Sequence, residues 1–298
     1  MSTNYVRTID RFFSHEERDW EAIKKDLKPL VILINNSNEE YNLQIRRDCF
    51  NIYYQGNSIA QVTPKKRNWT YVVRIHKKFV SDDMCRKLEA CSLSKKLGKE
   101  YISFSVQSNN LHRFFQRNHL DRISGQIRKV HNGEEITMEQ VIVTDNPPSP
   151  DFFIIDRQVA DHLNWARIDL LALKRAEIGK YHFVVFELKL GRNPELREKA
   201  GRQVSDYVKH IREHIDDYAY CYQKNYLQKK QLGLFDNTDN PMPDSILIDR
   251  EPSSVEGIVA AGGYSQLARK NIEQLHGAIQ ENGWDIQVKQ MRRMLLND

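Results

Sequence analysis

Two acidic residues and a lysine occupy positions where a β-strand would carry apolar side chains. Asp169 lies in the run ARIDLLALKR, and Glu187 and Lys189 lie in the run YHFVVFELKLG. Both runs are rich in β-branched and aromatic residues, and only a short polar segment at Ala176–Lys180 separates them, so the sequence predicts a β-hairpin. Residues two apart on a strand share a face, so Glu187 and Lys189 project to the same side.

Charged side chains in an apolar strand need a partner, because burying an isolated charge is costly. Asp169 would bring a second carboxylate toward Glu187 from the neighbouring strand. Two converging carboxylates repel each other, and a hard divalent cation such as Mg²⁺ relieves that repulsion by binding oxygen ligands. A solvent-facing strand is the ordinary explanation of a single Glu-Leu-Lys. The second acid across the hairpin favours a metal site instead.

A helix is predicted directly after the second strand. Asn193 suits the N-cap position, and Pro194 suits the first helical position. Gln203 and Tyr207 lie four residues apart on this helix and therefore share a face. The sequence thus places a polar pair on the element that follows the Glu-Leu-Lys strand.

The order Asp169, then Glu187-Leu188-Lys189, then Gln203-x-x-x-Tyr207 resembles the PD-(D/E)XK nuclease superfamily, in the branch with a Q-x-x-x-Y helix after the catalytic strand. The resemblance covers residues 133–262, under half of the chain. Ile168 stands where the motif has proline, a substitution that is common in the superfamily. The resemblance implies an α/β fold with a mixed central sheet flanked by helices, which is a restriction-endonuclease-like core.

The same resemblance implies a Mg²⁺-dependent endonuclease, with Mn²⁺ able to substitute for Mg²⁺. Lys189 would orient the attacking water or offset charge at the phosphate, and Gln203 and Tyr207 would position the phosphate or the lysine. An inactive nuclease-fold module that only binds nucleic acid is the alternative function, and an interaction protein with no nucleic-acid role is a further one. The metal ligands that the resemblance implies are Asp169, Glu187, the Leu188 carbonyl and one of two helical glutamates, Glu135 or Glu139.

Composition separates a basic from an acidic half. The chain has 298 residues and a net charge of +5. Residues 1–130 contain 24 Lys or Arg and 14 Asp or Glu, whereas residues 131–298 contain 21 and 26. A basic half beside a carboxylate-bearing half suits a phosphate-backbone substrate. The sequence therefore predicts a basic α+β region over residues 1–130 and a nuclease-like domain over residues 131–298.

The basic half also interleaves cations with aromatic residues. Leu43–Val80 contains eight Lys or Arg and a single acid, Asp48. Such strands can hold a nucleic-acid backbone and stack on bases, although a lysine-rich edge that prevents aggregation gives the same pattern. DNA is the expected partner, with RNA and a homodimer left open. The expected setting is prokaryotic defence, with repair and mobile-element biology left open. The predicted nucleic-acid contacts are Arg46, Tyr54, Lys65, Lys66, Arg67, Arg113 and Arg117.

The four cysteines form no C-x-x-C pair, no apolar run reaches the length of a membrane span, and the N-terminus lacks a signal-peptide pattern. The sequence therefore favours a reduced, cytoplasmic protein without a membrane segment.

Periodicity predicts the remaining elements. A helix over residues 10–28 would have Ser14 as its N-cap and would end at Pro29. Strands would follow from Leu30, and residues 82–130 would be helical. A long helix would run from Pro194 to Lys230. Asp156 is expected at a hairpin edge, and a supporting position beside the metal site is the alternative. The other predicted elements are a helix over 133–142, a strand over 151–159, a buried strand VEGIVAAGG and a final helix over 265–282.

Overall fold

The chain folds into two compact units, each described here on its own. The N-terminal unit comprises Asp10–Thr137 with Leu227–Asn237, and the C-terminal unit comprises Met1–Ile9, Met138–Tyr226 and Thr238–Asp298. The predicted domain limit between residues 130 and 131 stays a prediction. This computed structural model describes residues 7–65, 69–130, 133–163, 167–236, 240–263 and 265–291.

A six-stranded antiparallel sheet forms the framework of the N-terminal unit, with strand order β1-β2-β3-β4-β6-β5. One face of this sheet carries alternating apolar side chains such as Leu43, Val73 and Phe104, which are buried against the helices. The strands are β1 (Tyr41–Arg46), β2 (Cys49–Tyr54), β3 (Asn57–Lys65), β4 (Thr70–His76), β5 (Ser94–Leu97) and β6 (Tyr101–Gln107). The helices are α1 (Glu17–Asn35), α2 (Asp82–Ala90), α3 (Leu111–Phe114) and α4 (Arg117–Val130).

The first helix differs from its prediction at both ends. Helix α1 begins at Glu17, and Ser14 hydrogen-bonds Asp48 instead of capping it. The helix also continues through Pro29, so the run after Pro29 is helical and the predicted first strand is wrong. The apolar residues of α1 recur at helical spacing and join the core, which outweighs the one hydrogen bond that proline removes.

Residues 82–130 are not uniformly helical as predicted. Strands β5 and β6 lie between α2 and α3, and β6 alternates exposed or partly exposed residues with the buried Ile102, Phe104 and Val106. This period of two marks a strand with one buried face. Helices α3 and α4 confirm the helical prediction for the C-terminal part of this segment.

The C-terminal unit is built on a mixed sheet. Strands β7 to β9 form an antiparallel meander, and β11 and β12 extend it in parallel, giving the order β12-β11-β9-β8-β7. The α/β fold class with a mixed central sheet flanked by helices is thereby confirmed. The strands are β7 (Phe152–Val159), β8 (Ile168–Glu177), β9 (Lys180–Leu190), β10 (Leu247–Ile248), β11 (Glu256–Gly262) and β12 (Gln287–Gln290). The helices are α5 (Glu134–Asp145), α6 (Gly201–Glu213), α7 (Ile215–Gln231) and α8 (Gln266–Asn282).

The predicted helix from Pro194 to Lys230 is divided into segments. A π-helical turn at Leu196–Ala200 precedes α6, and His214 interrupts the path between α6 and α7. At that break the His214 Nδ1 lies 3.3 Å from the Thr8 hydroxyl oxygen. The predicted hairpin, the buried strand β11 and the final helix α8 are confirmed, with Ser265 capping α8 and Gly283 ending it.

None of the helices in the described ranges is both long and apolar enough to cross a membrane.

Close packing at Gly201 fixes the start of α6, the helix that carries Gln203 and Tyr207. A Cβ added to Gly201 would lie 2.7 Å from Trp284 Cζ3 and 3.0 Å from Leu275 Cδ1, so these side chains would have to shift. We expect Gly201→Ala to destabilise the protein by about 1–3 kcal/mol through overpacking. The measurement is the urea unfolding midpoint of the C-terminal unit, followed by circular dichroism.

Gly277→Ala is the matched control for Gly201→Ala. Gly277 lies in α8, and an added Cβ there meets no atom within 4 Å. We expect this substitution to stabilise the protein by about 0.5–1 kcal/mol, because alanine restricts the unfolded chain. Equal effects of the two substitutions would contradict the packing of Trp284 on α6.

Candidate active site

Asp169 and Glu187 lie on adjacent antiparallel strands at the same end of the meander. The pairing of β8 with β9 places Leu170 opposite Phe186, and the same register brings Asp169 opposite Glu187. Leu170 and Phe186 pack in an apolar cluster on one face of the sheet. Because neighbouring residues of a strand alternate between faces, the two carboxylates share the opposite face. The Glu187 side chain is only 3% exposed.

The Asp169 carboxylate accepts a hydrogen bond from the backbone of β9, in the place of a backbone carbonyl of a neighbouring strand. Leu188 N donates to Asp169 Oδ2 at 2.8 Å, and Gln158 Nε2 lies 3.4 Å from Asp169 Oδ1. The N–H and C=O groups of one strand residue point to the same neighbour. The Leu188 carbonyl oxygen is therefore directed to the side of β9 on which Asp169 lies, as its predicted role in binding a metal requires.

Helix α5 contributes a third carboxylate through Glu139. Its Oε1 accepts from Arg157 Nε at 2.6 Å and lies 2.5 Å from Arg157 Nη2, and its Oε2 accepts from Gln158 Nε2 at 2.7 Å. Both side chains of the ion pair are almost fully buried, so the arginine neutralises the carboxylate inside the unit. Glu135, the alternative ligand at the first turn of the helix, is partly exposed, and its role stays a prediction.

Gln158 connects the carboxylates and was not predicted from the sequence. One amide nitrogen of Gln158 contacts both Glu139 and Asp169. The register of β7 with β8 places Gln158 opposite Asp169, and its φ of 51° is uncommon for a residue other than glycine. The only sequence signal is the polar pair Arg157-Gln158 near the end of an otherwise apolar strand. Strained backbone of this kind persists where the surroundings hold it firmly, and functional sites are enriched in it.

Lys189 lies between two carboxylates. Its Nζ is 2.9 Å from Glu187 Oε1 and 3.4 Å from Glu195 Oε2. Glu195 also accepts from Lys199 at 2.9 Å. The pKa of Glu195 is lowered mainly by that hydrogen bond from Lys199 and then by the charge of Lys189. The ammonium of Lys189 is thus held beside Glu187, as the strand alternation predicts.

The Gln203–Tyr207 pair lies against the same carboxylates. Burial raises the pKa of Tyr207, and the charges of Glu187 and Asp169 raise it further. The Tyr207 hydroxyl donates to the Arg167 carbonyl at 3.1 Å, which secures the start of β8. Gln203 hydrogen-bonds Tyr207, and its Oε1 is buried without a partner among the described residues. The tyrosine hydroxyl is therefore committed to the backbone, whereas the Gln203 oxygen can accept a further donor.

Asp156 is not the hairpin-edge acid that the sequence predicts. It is fully buried in β7, where it accepts from the Tyr222 hydroxyl at 3.0 Å and from Arg157 N at 2.7 Å. The buried tyrosine side chains of α7 could not be assigned to this carboxylate from sequence spacing. Asp156 therefore anchors β7 to α7 inside the unit.

The donor chemistry of the site fits a hard divalent cation. Asp169 and Glu187 supply carboxylate oxygens, and the Leu188 carbonyl is directed toward them. Within the described ranges, no group of three or more His, Cys, Asp or Glu side chains is arranged as a ready metal cluster. Mg²⁺ needs no such cluster, because one or two carboxylates with waters and substrate phosphates complete its shell.

Two predicted nucleic-acid contacts, Arg46 and Tyr54, are buried and therefore wrong as surface contacts. Arg46 is 8% exposed and donates to the Ile45 carbonyl and the Tyr53 hydroxyl, each at 3.1 Å. Tyr54 is 2% exposed, and the guanidinium of Arg128 lies over its ring. From the sequence alone, a basic or aromatic strand residue that faces solvent cannot be distinguished from one that faces the interior.

The other predicted contacts divide into three cases. Lys65 and Arg113 are exposed. Arg117 is exposed but forms ion pairs with Glu40 and Asp121, at 2.9 and 2.8 Å. Lys66 and Arg67 lie outside the described residues.

Comparisons with known proteins give only distant structural likeness. No protein-family model matches the sequence, and no curated protein matches it. Among solved structures, an EndoMS–dsDNA complex is 13% identical, with a TM-score of 0.28 over 86% of this chain and 78% of that one. A repair endonuclease from Pyrococcus abyssi is 13% identical, with a TM-score of 0.27 over 90% of this chain and 95% of that one. Similarity at this level does not assign the chain to a family.

The buried ion pair of Glu139 and Arg157 makes a testable contribution to stability. Arg157→Met leaves the Glu139 carboxylate buried without its cation, and we expect a loss of about 3–5 kcal/mol. The double substitution Arg157→Met with Glu139→Leu removes both charges and should recover most of that loss, because apolar replacements of buried pairs are often neutral.

Chemical unfolding of the wild type, both single variants and the double variant gives the coupling energy of the pair. A double variant as unstable as the sum of the single variants would contradict the pairing.

Proposed function

We propose that the chain is a metal-dependent nuclease of the PD-(D/E)XK type that hydrolyses phosphodiester bonds in DNA. The observation that carries the proposal is the placement of Asp169 and Glu187 opposite each other on adjacent strands, with Lys189 bonded to Glu187. This arrangement places two carboxylates and the Lys189 ammonium together at the end of a sheet. Hydrolysis of a phosphodiester requires such a combination, because negative charge develops on the phosphoryl oxygens.

Asp169, Glu187 and the Leu188 carbonyl would hold Mg²⁺ or Mn²⁺. The bound ion supplies a Lewis acid and lowers the pKa of a coordinated water. Glu139 contacts the site through Gln158 and is neutralised by Arg157, so we assign it the role of fixing Gln158 and Asp169. To bind the metal ion directly, Glu139 would first have to break its hydrogen bond with Gln158.

The remaining polar residues orient the reacting groups. Lys189, held by Glu187 and Glu195, presents its ammonium to the phosphate or to the attacking water. Tyr207 positions β8 through the Arg167 carbonyl and does not itself contact the phosphate. Gln203 accepts a hydrogen bond on its buried Oε1, and a water molecule or the Lys189 ammonium is the donor we propose.

The proposed substrate is a nucleic acid, because the basic half of the chain suits a phosphate backbone, and DNA is the form we propose. Cleavage within strands, a homodimer and a setting in prokaryotic defence belong to the same proposal. Linear, circular and RNA substrates in one assay separate endonuclease from exonuclease action and DNA from RNA.

The second candidate function is a nuclease-fold module that binds nucleic acid without cleaving it. The engagement of Asp169 by Leu188 N and Gln158, together with the neutralised Glu139, favours it. In this case the carboxylates would be satisfied within the protein and would need no metal. Binding without cleavage under all metal conditions would support this module and contradict the enzyme.

The decisive experiment is plasmid cleavage with Mg²⁺ or Mn²⁺. We expect Asp169→Asn to abolish metal-dependent cutting, and Lys189→Met to slow it by about 10²- to 10³-fold, the usual effect of removing one group that stabilises charge in the transition state. Lys199→Met is the matched control, because Lys199 pairs with the same Glu195 but is exposed and does not contact Glu187. Its cleavage rate should stay near that of the wild type. Full cleavage by the Asp169 variant would exclude this site.

Metal binding can be tested without any substrate. A ligand that binds only the folded state stabilises it by RT ln(1 + [L]/Kd), so Mg²⁺ or Mn²⁺ should raise the melting temperature of the wild type. We expect no such increase for Asp169→Asn, and the usual increase for Asp156→Asn, which changes a carboxylate that contacts Tyr222 instead. An equal increase in the wild type and the Asp169 variant would place the ion elsewhere.

A further inference from the structure

The six-stranded sheet of the N-terminal unit has a second face that is polar. Its apolar face is buried against the helices, so the alternate residues of each strand point the other way. The strand register aligns one residue from every strand into a continuous row. With neighbouring strands about 4.8 Å apart, the row spans about 25 Å. Its members, the polar row, are Gln44, Asn51, Gln61, Arg74, Ser103 and Lys96.

Only part of the polar row is accessible. Gln44 is buried and accepts from Lys229 at 2.6 Å. Gln61 and Ser103 are partly exposed, and Arg74 and Lys96 are exposed. The four row residues on β3, β4, β6 and β5 are therefore exposed or partly exposed to solvent.

The charge of this sheet has one sign. The six strands contain five Lys or Arg residues and neither Asp nor Glu. On the apolar side, Lys95 pairs with Glu89 of α2. On the polar side, Arg74 contacts the Gln61 amide oxygen, and Lys96 lies two strands away in the same row. Acids lie only at the strand ends: Glu40 precedes β1, Asp48 lies between β1 and β2, and Glu100 precedes β6.

An exposed aromatic ring lies beside these cations. Tyr101 is 38% exposed and pairs with His76 across β4 and β6. The Arg74 guanidinium lies 4.8 Å from the Tyr101 ring centroid, and the His76 ring meets Tyr101 edge-on at 5.2 Å. The tyrosine is thus held by Arg74 and His76 and remains accessible to solvent over part of its surface. An ordered ring beside a guanidinium is a stacking surface for a nucleobase.

We propose that this polar face binds single-stranded nucleic acid, with the backbone along Arg74 and Lys96 and a base stacked on Tyr101. The inference rests on the proposed function, for which it supplies a strand-holding surface. A cationic face selects the phosphate backbone. Stacking on Tyr101 requires a base whose face is not covered by a stacked neighbour, which favours a single strand over a duplex. The small polar side chains of the row, such as Ser103, leave room for bases and offer hydrogen bonds.

Fluorescence anisotropy with a labelled oligothymidylate tests the backbone contact. The full chain carries Asp169→Asn and the buffer contains EDTA, so that no cleavage occurs. We expect Arg74→Ala with Lys96→Ala to weaken binding and to reduce the slope of log K against log salt by about 1.4, or about 0.7 for each lost phosphate contact. The matched control is Arg86→Ala with Lys28→Ala, which removes the same charge from exposed positions on α2 and α1, the helices packed on the apolar face. The control should leave the slope unchanged.

The stacking contact is tested separately. Tyr101→Ala should weaken binding about fivefold to a hundredfold without changing the salt slope, and Tyr101→Phe should restore wild-type affinity. Equal effects of the Arg74/Lys96 and Arg86/Lys28 pairs would overturn the backbone contact. Tighter binding to a duplex than to the single strand, with no effect of Tyr101→Ala, would overturn the proposed partner.

These outcomes are independent of catalysis. A chain that binds through the polar face but never cleaves would retain this inference and remove the proposed nuclease. If the chain cleaves nucleic acid but Arg74→Ala with Lys96→Ala changes neither binding nor cleavage, the proposed nuclease is retained and this inference is overturned.

Discussion

Carboxylates buried at one end of a β-sheet are the constraint on which the C-terminal unit depends. Each carboxylate loses hydration when it leaves water, so contacts within the fold have to replace its hydrogen bonds to water. Glu139 does so through Arg157, Glu187 through Lys189, and Asp169 through a backbone N–H that would otherwise belong to a strand ladder. The Glu139–Arg157 pair connects α5 to β7, and the bond from Leu188 N to Asp169 connects β9 to β8, in addition to apolar packing. The contacts that pair these carboxylates are therefore the same contacts that position the site.

The strained backbone at Gln158 is explained by this constraint. A φ of 51° within a strand is unfavourable for glutamine, yet it directs one amide toward both Glu139 and Asp169. Without that amide, two carboxylates would face each other with no donor between them. Gln158 thus links the Glu139 and Asp169 carboxylates through a single donor group, and this contact accounts for its unusual backbone.

The parts of the fold that the sequence predicts well are those in which local pattern and tertiary packing agree. The hairpin of β8 and β9 and the strand β11 are continuous apolar runs, and such runs form buried strands in a sheet that is covered on both faces. The run after Pro29 is equally apolar but is helical, because α1 can place it in the core at helical spacing. Periodicity alone does not distinguish these outcomes. Gln158, the burial of Arg46 and the commitment of Tyr207 to a backbone carbonyl depend on tertiary contacts that no spacing encodes.

The surroundings of Lys189 favour one of two roles that the sequence alone leaves open. The motif permits a lysine that takes a proton from water or one that acts as a fixed cation. Here the ammonium lies between two carboxylates, 2.9 Å from Glu187 Oε1 and 3.4 Å from Glu195 Oε2. Lys199 shares Glu195, and the pKa of Glu195 is lowered by both lysines, by the hydrogen bond from Lys199 first. Under the proposed function, a lysine held in this way would act as a fixed cation that stabilises charge at the phosphate.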